Sequence, residues 1–157
     1  MELNQKVADF TLQTDEDKTV SLSDFVGKPV ILFFYPKADT PGCTIEACGF
    51  RDWYAKLTQA GAVVLGISRD TPKAQAKFRA KFSLPYTLLC DVDEKVCNRF
   101  GVLKEKNMYG KKVMGIERTT FVIGPDRTLV RIFPKVTPEG HAEEVLAAIE
   151  EWKKAHK

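Results

Sequence analysis

Pro29-Val-Ile-Leu-Phe-Phe-Tyr-Pro-Lys-Ala-Asp-Thr-Pro-Gly-Cys-Thr-Ile-Glu-Ala-Cys48 opens on a continuous apolar run and closes on two cysteines. The run from Pro29 to Tyr35 has no polar alternation, which predicts a strand buried on both faces, as in the middle of a parallel sheet. Pro36 ends the run, and the segment then passes through a loop into the first turn of a helix. Cys43, Ala47, Phe50, Tyr54 and Leu57 recur at helical spacing, with Gly61 where a helix would stop. Ala62 to Ile67 is a second buried-strand run, so strand, helix and strand form a βαβ unit with parallel strands.

Working outward, Asp9 to Thr14 and Thr19 to Leu22 flank a polar turn and predict an N-terminal β-hairpin. Thr71-Pro72 reads as an N-cap followed by proline, and Ala74, Phe78 and Phe82 give the next helix its apolar stripe. A strand is predicted over Thr87 to Cys90 and a short helix over Glu94 to Phe100, ended by Gly101. A loop rich in Lys and Gly follows. Arg118 to Ile123 and Thr128 to Phe133 predict an antiparallel hairpin across Gly124-Pro125-Asp126-Arg127, and Pro138 to Lys154 an amphipathic closing helix. This order predicts an α/β fold of thioredoxin-like architecture: a central mixed β-sheet with helices on both faces.

Composition sets the frame. The chain has 157 residues, 44% hydrophobic and 29% charged, which fits one domain and neither a disordered nor a fibrous chain. No repeat or linker divides it. The net charge of +3 comes without a run of like charges, so no nucleic-acid partner is expected. No apolar stretch approaches the ~20 residues of a membrane helix, and Met1 to Phe10 lacks the pattern of an export signal. A soluble, cytoplasmic protein with no membrane partner is the expectation. Four cysteines in that setting point to free, ligating or catalytic thiols rather than a disulfide framework.

Cys43 lies where a helix begins at the carboxyl end of a buried strand, the place where α/β sheets build their sites. Unpaired first-turn N–H groups and the helix dipole favour an anion there, and a thiolate is one. A cysteine with an ordinary pKa near 8.5 is about 3% thiolate at pH 7, and one brought to about 6 is roughly 90% ionised. Ionisation alone therefore supplies at most about thirty-fold, and fast chemistry also needs donors aimed at a leaving group. Cys48 follows five residues on, which is neither Cys-x-x-Cys nor a zinc-knuckle spacing. An intact helix holds two such Cα atoms about 8.6 Å apart with side chains ~140° apart, beyond disulfide reach of ~7 Å. A bond between them requires the helix to open, and Gly49 eases that opening by lowering helix propensity.

Pro36-Lys-Ala-Asp-Thr40-Pro-Gly-Cys43 resembles the Pro-x-x-x-Thr-x-x-Cys signature of peroxiredoxins. Cys43-Thr-Ile-Glu-Ala-Cys48 is similar to the spacing in their bacterioferritin comigratory protein (PrxQ) subfamily. The resemblance extends through Val64-Leu-Gly-Ile-Ser68, Phe100-Gly-Val102 and Arg118-Thr-Thr-Phe-Val-Ile123. It implies a thioredoxin-fold thiol peroxidase that reduces hydrogen peroxide and organic hydroperoxides and is recycled by thioredoxin or a similar dithiol. In that reading Cys43 is the peroxidatic thiolate and Cys48 the resolving cysteine. Thr40 hydrogen-bonds the reacting oxygens, Pro36 shields the pocket and Arg118 holds the thiolate. No metal, flavin or haem cofactor is implied, and a monomer is favoured.

Taken without the resemblance, these residues have plainer readings. Thr40 is equally an N-cap, Pro36 a strand terminator, Arg118 a solvated charge, and Glu46 either an orienting partner for an Arg or a surface carboxylate. Cys90 and Cys97 read as packing cysteines, with Cys97 open as a substitute resolving residue. His141 and His156 are given no catalytic part. Two other classes stand beside the peroxidase. A thioredoxin-like thiol-disulfide oxidoreductase predicts Cys-x-x-Cys and a proline before the facing strand, and a four-cysteine metal module predicts zinc-ligand spacing. The chain has neither pattern.

Overall fold

A computed structural model describes residues 1–156. The chain begins with β1 (Thr11–Thr14), β2 (Thr19–Ser21), a 3₁₀ turn (Leu22–Phe25), β3 (Val30–Phe34), α1 (Pro41–Asp52), α2 (Tyr54–Gln59) and β4 (Val63–Ser68). It continues through α3 (Pro72–Phe82), β5 (Thr87–Cys90), α4 (Lys95–Arg99), β6 (Leu103–Met108), β7 (Lys111–Ile116), β8 (Thr119–Ile123), β9 (Leu129–Phe133) and α5 (His141–Ala155).

Seven strands form one sheet in the order β2-β1-β5-β4-β3-β8-β9. The apolar run of β3 sits at its centre, parallel to β4 and antiparallel to β8, and all five of its residues are buried. Strand alternation splits the run between two cores. Val30, Leu32 and Phe34 face a cluster with Phe10, Leu22, Phe100 and Phe121, roofed by the N-terminal segment and α4. Ile31, Phe33 and Tyr35 face Cys43, Ala47, Phe50, Phe78, Val145 and Ile149 of α1, α3 and α5. The βαβ unit, the mixed sheet with helices on both faces and the N-terminal hairpin are as the sequence predicts.

Two elements differ from expectation. The single helix over Cys43 to Leu57 breaks at Trp53, whose backbone (φ −99°, ψ 4°) leaves the helical region and separates α1 from α2. The Lys- and Gly-rich loop is instead the hairpin β6–β7, paired only with itself in a second, two-stranded sheet. Its two-residue turn puts Tyr109 and Gly110 at φ 53° and 79°, the left-handed pair that a tight hairpin of matching twist requires. Four of the six residues of β6 are Lys, Glu or Asn, and β7 opens on two lysines, so no apolar period announces them.

Candidate active site

The segment between β3 and α1 is fixed from several sides. Tyr35 N–H donates to the Ile67 carbonyl at 3.0 Å, and its buried hydroxyl donates to Gln75 Oε1 at 2.5 Å. The Ala38 N–H donates to Asp70 Oδ2 at 2.8 Å, and Lys81 pairs with Asp39 at 2.9 Å. Pro36, half-buried, ends the strand at the mouth of this loop.

Thr40 is the N-cap of α1 by backbone (φ −101°, ψ 156°), with Pro41 at the first helical position. Its hydroxyl does not cap the helix. Thr40 Oγ1 donates to the Lys37 carbonyl at 2.8 Å, which commits its proton and leaves its lone pairs as acceptors. Cys43 is therefore the third helical residue, its N–H among the unpaired first-turn donors, and it is 1% exposed.

Arg118 reaches Cys43 from the position immediately before β8. The antiparallel register pairs Phe34 with Thr119, so Arg118 stands just beyond the end of β3, where the Cys43 loop departs. Its Nη1 lies 3.5 Å from Cys43 Sγ and donates to Glu46 Oε1 at 2.9 Å. Gly42 makes room for the guanidinium, because a Cβ at that position would sit 2.9 Å from Arg118 Nη2. Nothing in the sequence pattern singles out Gly42; its close approach to Arg118 exists only in three dimensions.

Glu46 is no surface carboxylate: its side chain is fully buried, and Oε2 has no hydrogen-bond partner. Burial pushes its carboxyl up to about 7, against the pull of the adjacent Arg118. It is the orienting partner of the arginine.

Cys48, on the next turns of α1, is half-buried, and desolvation raises its thiol pKa. The helix between the two cysteines is intact over Pro41–Asp52, and all four cysteines are unbonded. Cys97 is fully buried in the core on the opposite side of the sheet from Cys43. There Cys97 N–H donates to Asp91 Oδ2 at 2.6 Å, and burial with that carboxylate raises its thiol strongly. Burial pushes Cys90 up to about 12. The four cysteines do not converge on one point. His141 packs edge-on against Phe50 and Phe133, hydrogen-bonds Thr120 Oγ1 at 2.7 Å and is lowered to about 4 by burial, so it is a neutral ring at neutral pH.

With this geometry in view, comparisons with known proteins agree. Residues 3–132 match the AhpC/TSA family. The putative peroxiredoxin bcp of Coxiella burnetii is 53% identical over 95% of this chain and 99% of its own length. Peroxiredoxin Bcp of Bacillus subtilis is 42% identical over 96% of both chains. Among solved structures, the bacterioferritin comigratory protein of Xanthomonas campestris superposes with a TM-score of 0.87 at 41% identity over 90% of both chains. A Cys→Ser variant of Xylella fastidiosa PrxQ gives 0.93 at 36% identity over 98% of both. A thioredoxin-like sheet, a cysteine at the start of its first long helix and these relatives over nearly the full length leave one conclusion: the chain belongs to the AhpC/TSA family, as a peroxiredoxin of the Bcp/PrxQ group.

Proposed function

We propose that Cys43 is the peroxidatic cysteine and Cys48 the resolving cysteine of a thiol peroxidase acting on hydrogen peroxide and organic hydroperoxides. The observation that carries this is the 3.5 Å approach of Arg118 Nη1 to a Cys43 sulfur seated in the first turn of α1. The Xanthomonas campestris relative is described as having alkyl peroxide reduction activity, which supports the same substrate class here.

In this reading the Cys43 thiolate attacks the terminal peroxide oxygen. The S–O bond forms as O–O breaks, leaving a sulfenic acid on Cys43, and the departing alkoxide or hydroxide takes up a proton. Arg118 stabilises both the thiolate and the charge that develops on the leaving oxygen. Thr40, its own proton held by Lys37, accepts the hydrogen bond of the peroxide O–H. Pro36 closes the mouth of the loop against water. Cys48 then attacks the sulfenic sulfur, the disulfide forms and water leaves. A thioredoxin-type dithiol returns both cysteines to thiols.

Among the described residues no helix is long and apolar enough to cross a membrane. A monomeric, single-domain enzyme of the cytoplasm completes the proposal, and sedimentation and cell fractionation test that part. The central test is peptide mapping after one equivalent of hydrogen peroxide is added to fully reduced protein. A Cys43–Cys48 disulfide within seconds is expected. A Cys43–Cys97 link would move the resolving role, and four unreacted thiols would refute the peroxidase.

A further inference from the structure

A bond between Cys43 and Cys48 requires α1 to open, and on the Cys48 side α1 is tied down from outside itself. The connection from α3 to β5 makes both ties. At its start the Phe82 carbonyl accepts from Arg51 Nη1 at 2.9 Å, about one turn beyond Cys48. At its end the Tyr86 hydroxyl donates to the Ala47 carbonyl at 2.6 Å, inside the core.

That carbonyl belongs to the peptide joining Ala47 to Cys48, the residue whose side chain has to turn. In an α-helix its oxygen accepts from the N–H four residues on, here Arg51, so the Tyr86 hydroxyl is a second donor on it. Tyr86 is not free to follow a moving helix. It is 2% exposed, its ring set edge-on to Phe33 at 5.7 Å and tilted against Tyr54 at 6.0 Å. Burial pushes its phenol well above the ordinary tyrosine range, so the hydroxyl keeps its proton and stays a donor at neutral pH. The attack on peroxide uses none of these atoms.

We propose that Tyr86 is a positioning residue for the second step: its hydroxyl holds the Ala47–Cys48 peptide in the helix and sets how fast Cys48 reaches the oxidised Cys43. Turning Cys48 toward Cys43 rotates that peptide plane and draws its oxygen off the Tyr86 hydroxyl. Tyr86→Phe keeps the ring and removes the bond, and the Ala47 oxygen retains the Arg51 N–H, so no buried group is orphaned in the closed helix. What is lost is the net worth of one hydrogen bond, about fivefold in the balance between closed and open helix. This balance has a chemical consequence. While the helix stays closed, the Cys43 sulfenic acid meets only a second peroxide: an S–O bond forms as O–O breaks, leaving a sulfinic acid and releasing water or an alcohol. Helix opening and overoxidation compete, and the tie at Ala47 sets their ratio.

The inference rests on Cys48 being the resolving cysteine. Its test compares reduced wild type, Tyr86→Phe and Cys97→Ala, the last loosening the core on the other side of the sheet. Each is mixed with hydrogen peroxide, quenched in acid from milliseconds to seconds, alkylated and mapped by mass spectrometry. In Tyr86→Phe the sulfenic acid is expected to form within twofold of the wild-type rate and to become the Cys43–Cys48 disulfide about fivefold faster. At excess peroxide about fivefold less sulfinic acid is expected on Cys43. Cys97→Ala is expected to match wild type within twofold in all three. A disulfide rate in Tyr86→Phe that is slower than wild type or within twofold of it, or the same acceleration in Cys97→Ala, would overturn the proposal while the peroxidase reading stands. Wild type that forms no Cys43–Cys48 bond would overturn the resolving role of Cys48 and the proposal with it.

Discussion

Gly42→Ala separates the fold from the chemistry. The added Cβ would stand 2.9 Å from Arg118 Nη2, 3.7 Å from its Cζ and 3.6 Å from Pro138 Cγ, where ordinary contact begins near 3.4 Å. Only the nitrogen contact is too close, and it is the end of a long side chain, so the guanidinium withdraws by about half an ångström while the backbone stays. Fold stability gains if anything, because alanine exceeds glycine in helix propensity by up to about 1 kcal/mol. The activity does not. Arg118 Nη1 is held at 3.5 Å from Sγ and 2.9 Å from Glu46, and a half-ångström retreat lengthens one or both. Misplacement of 1 Å costs about 10²-fold, so about tenfold is expected in the second-order rate with hydrogen peroxide. Stopped-flow kinetics read the rate and thermal melting reads the fold. A rate within twofold of wild type would refute the claim that Gly42 exists to admit Arg118. A tenfold loss accompanied by a lower melting temperature would assign the effect to folding.

Glu46→Gln removes a buried carboxyl whose pKa burial raises from 4.5 to about 7. A raised carboxyl contributes stability below its unfolded pKa and loses it as pH rises through the folded value. Wild-type urea midpoints should therefore fall between about pH 4.5 and 7 by the equivalent of about 3 kcal/mol, and the variant's should be flatter across that window. Gly49→Ala has room, its Cβ 3.9 Å from that of Ala142, and adds about 1 kcal/mol of helix propensity. Disulfide formation after a peroxide pulse should slow up to about fivefold, with more sulfinic acid on Cys43 by mass spectrometry; an unchanged rate would mean the turn does not open. Cys97→Ala should cost about 1–2 kcal/mol in chemical unfolding through lost packing. It should leave the Cys43–Cys48 product of peptide mapping intact.

The parts of the fold legible in the sequence are those with a strong period. The runs of β3 and β4 carry no polar interruption, so their central place follows from the residues, as does the helix that must cross between them. The β6–β7 hairpin is illegible for the opposite reason: Lys104, Glu105, Lys106 and Asn107 show no buried face, and only the Tyr109–Gly110 turn betrays the reversal. Within the site, Cys43, Thr40 and Cys48 are local and could be placed by counting. Arg118 could not, since it lies 75 residues from Cys43 and is brought there by the β3–β8 register. The direction of the Thr40 hydroxyl, the burial of Glu46 and the need for Gly42 all depend on that meeting.

One feature of the helix start links its two duties. The first turn of α1 and Arg118 turn their N–H donors toward the Cys43 sulfur, and the same intact helix keeps Cys48 out of reach. In the proposed cycle the sulfur that becomes a sulfenic acid is neutral, and it loses much of what binds a thiolate to the helix start and to Nη1. Arg118 stays, because Glu46 holds the same nitrogen at 2.9 Å. On that proposal the electrostatic clamp opens on the sulfur side alone, after the peroxide has been consumed. The proposed cycle then releases Cys43 toward Cys48 while the arginine, still held by Glu46, stays in place for the thiolate that reduction regenerates.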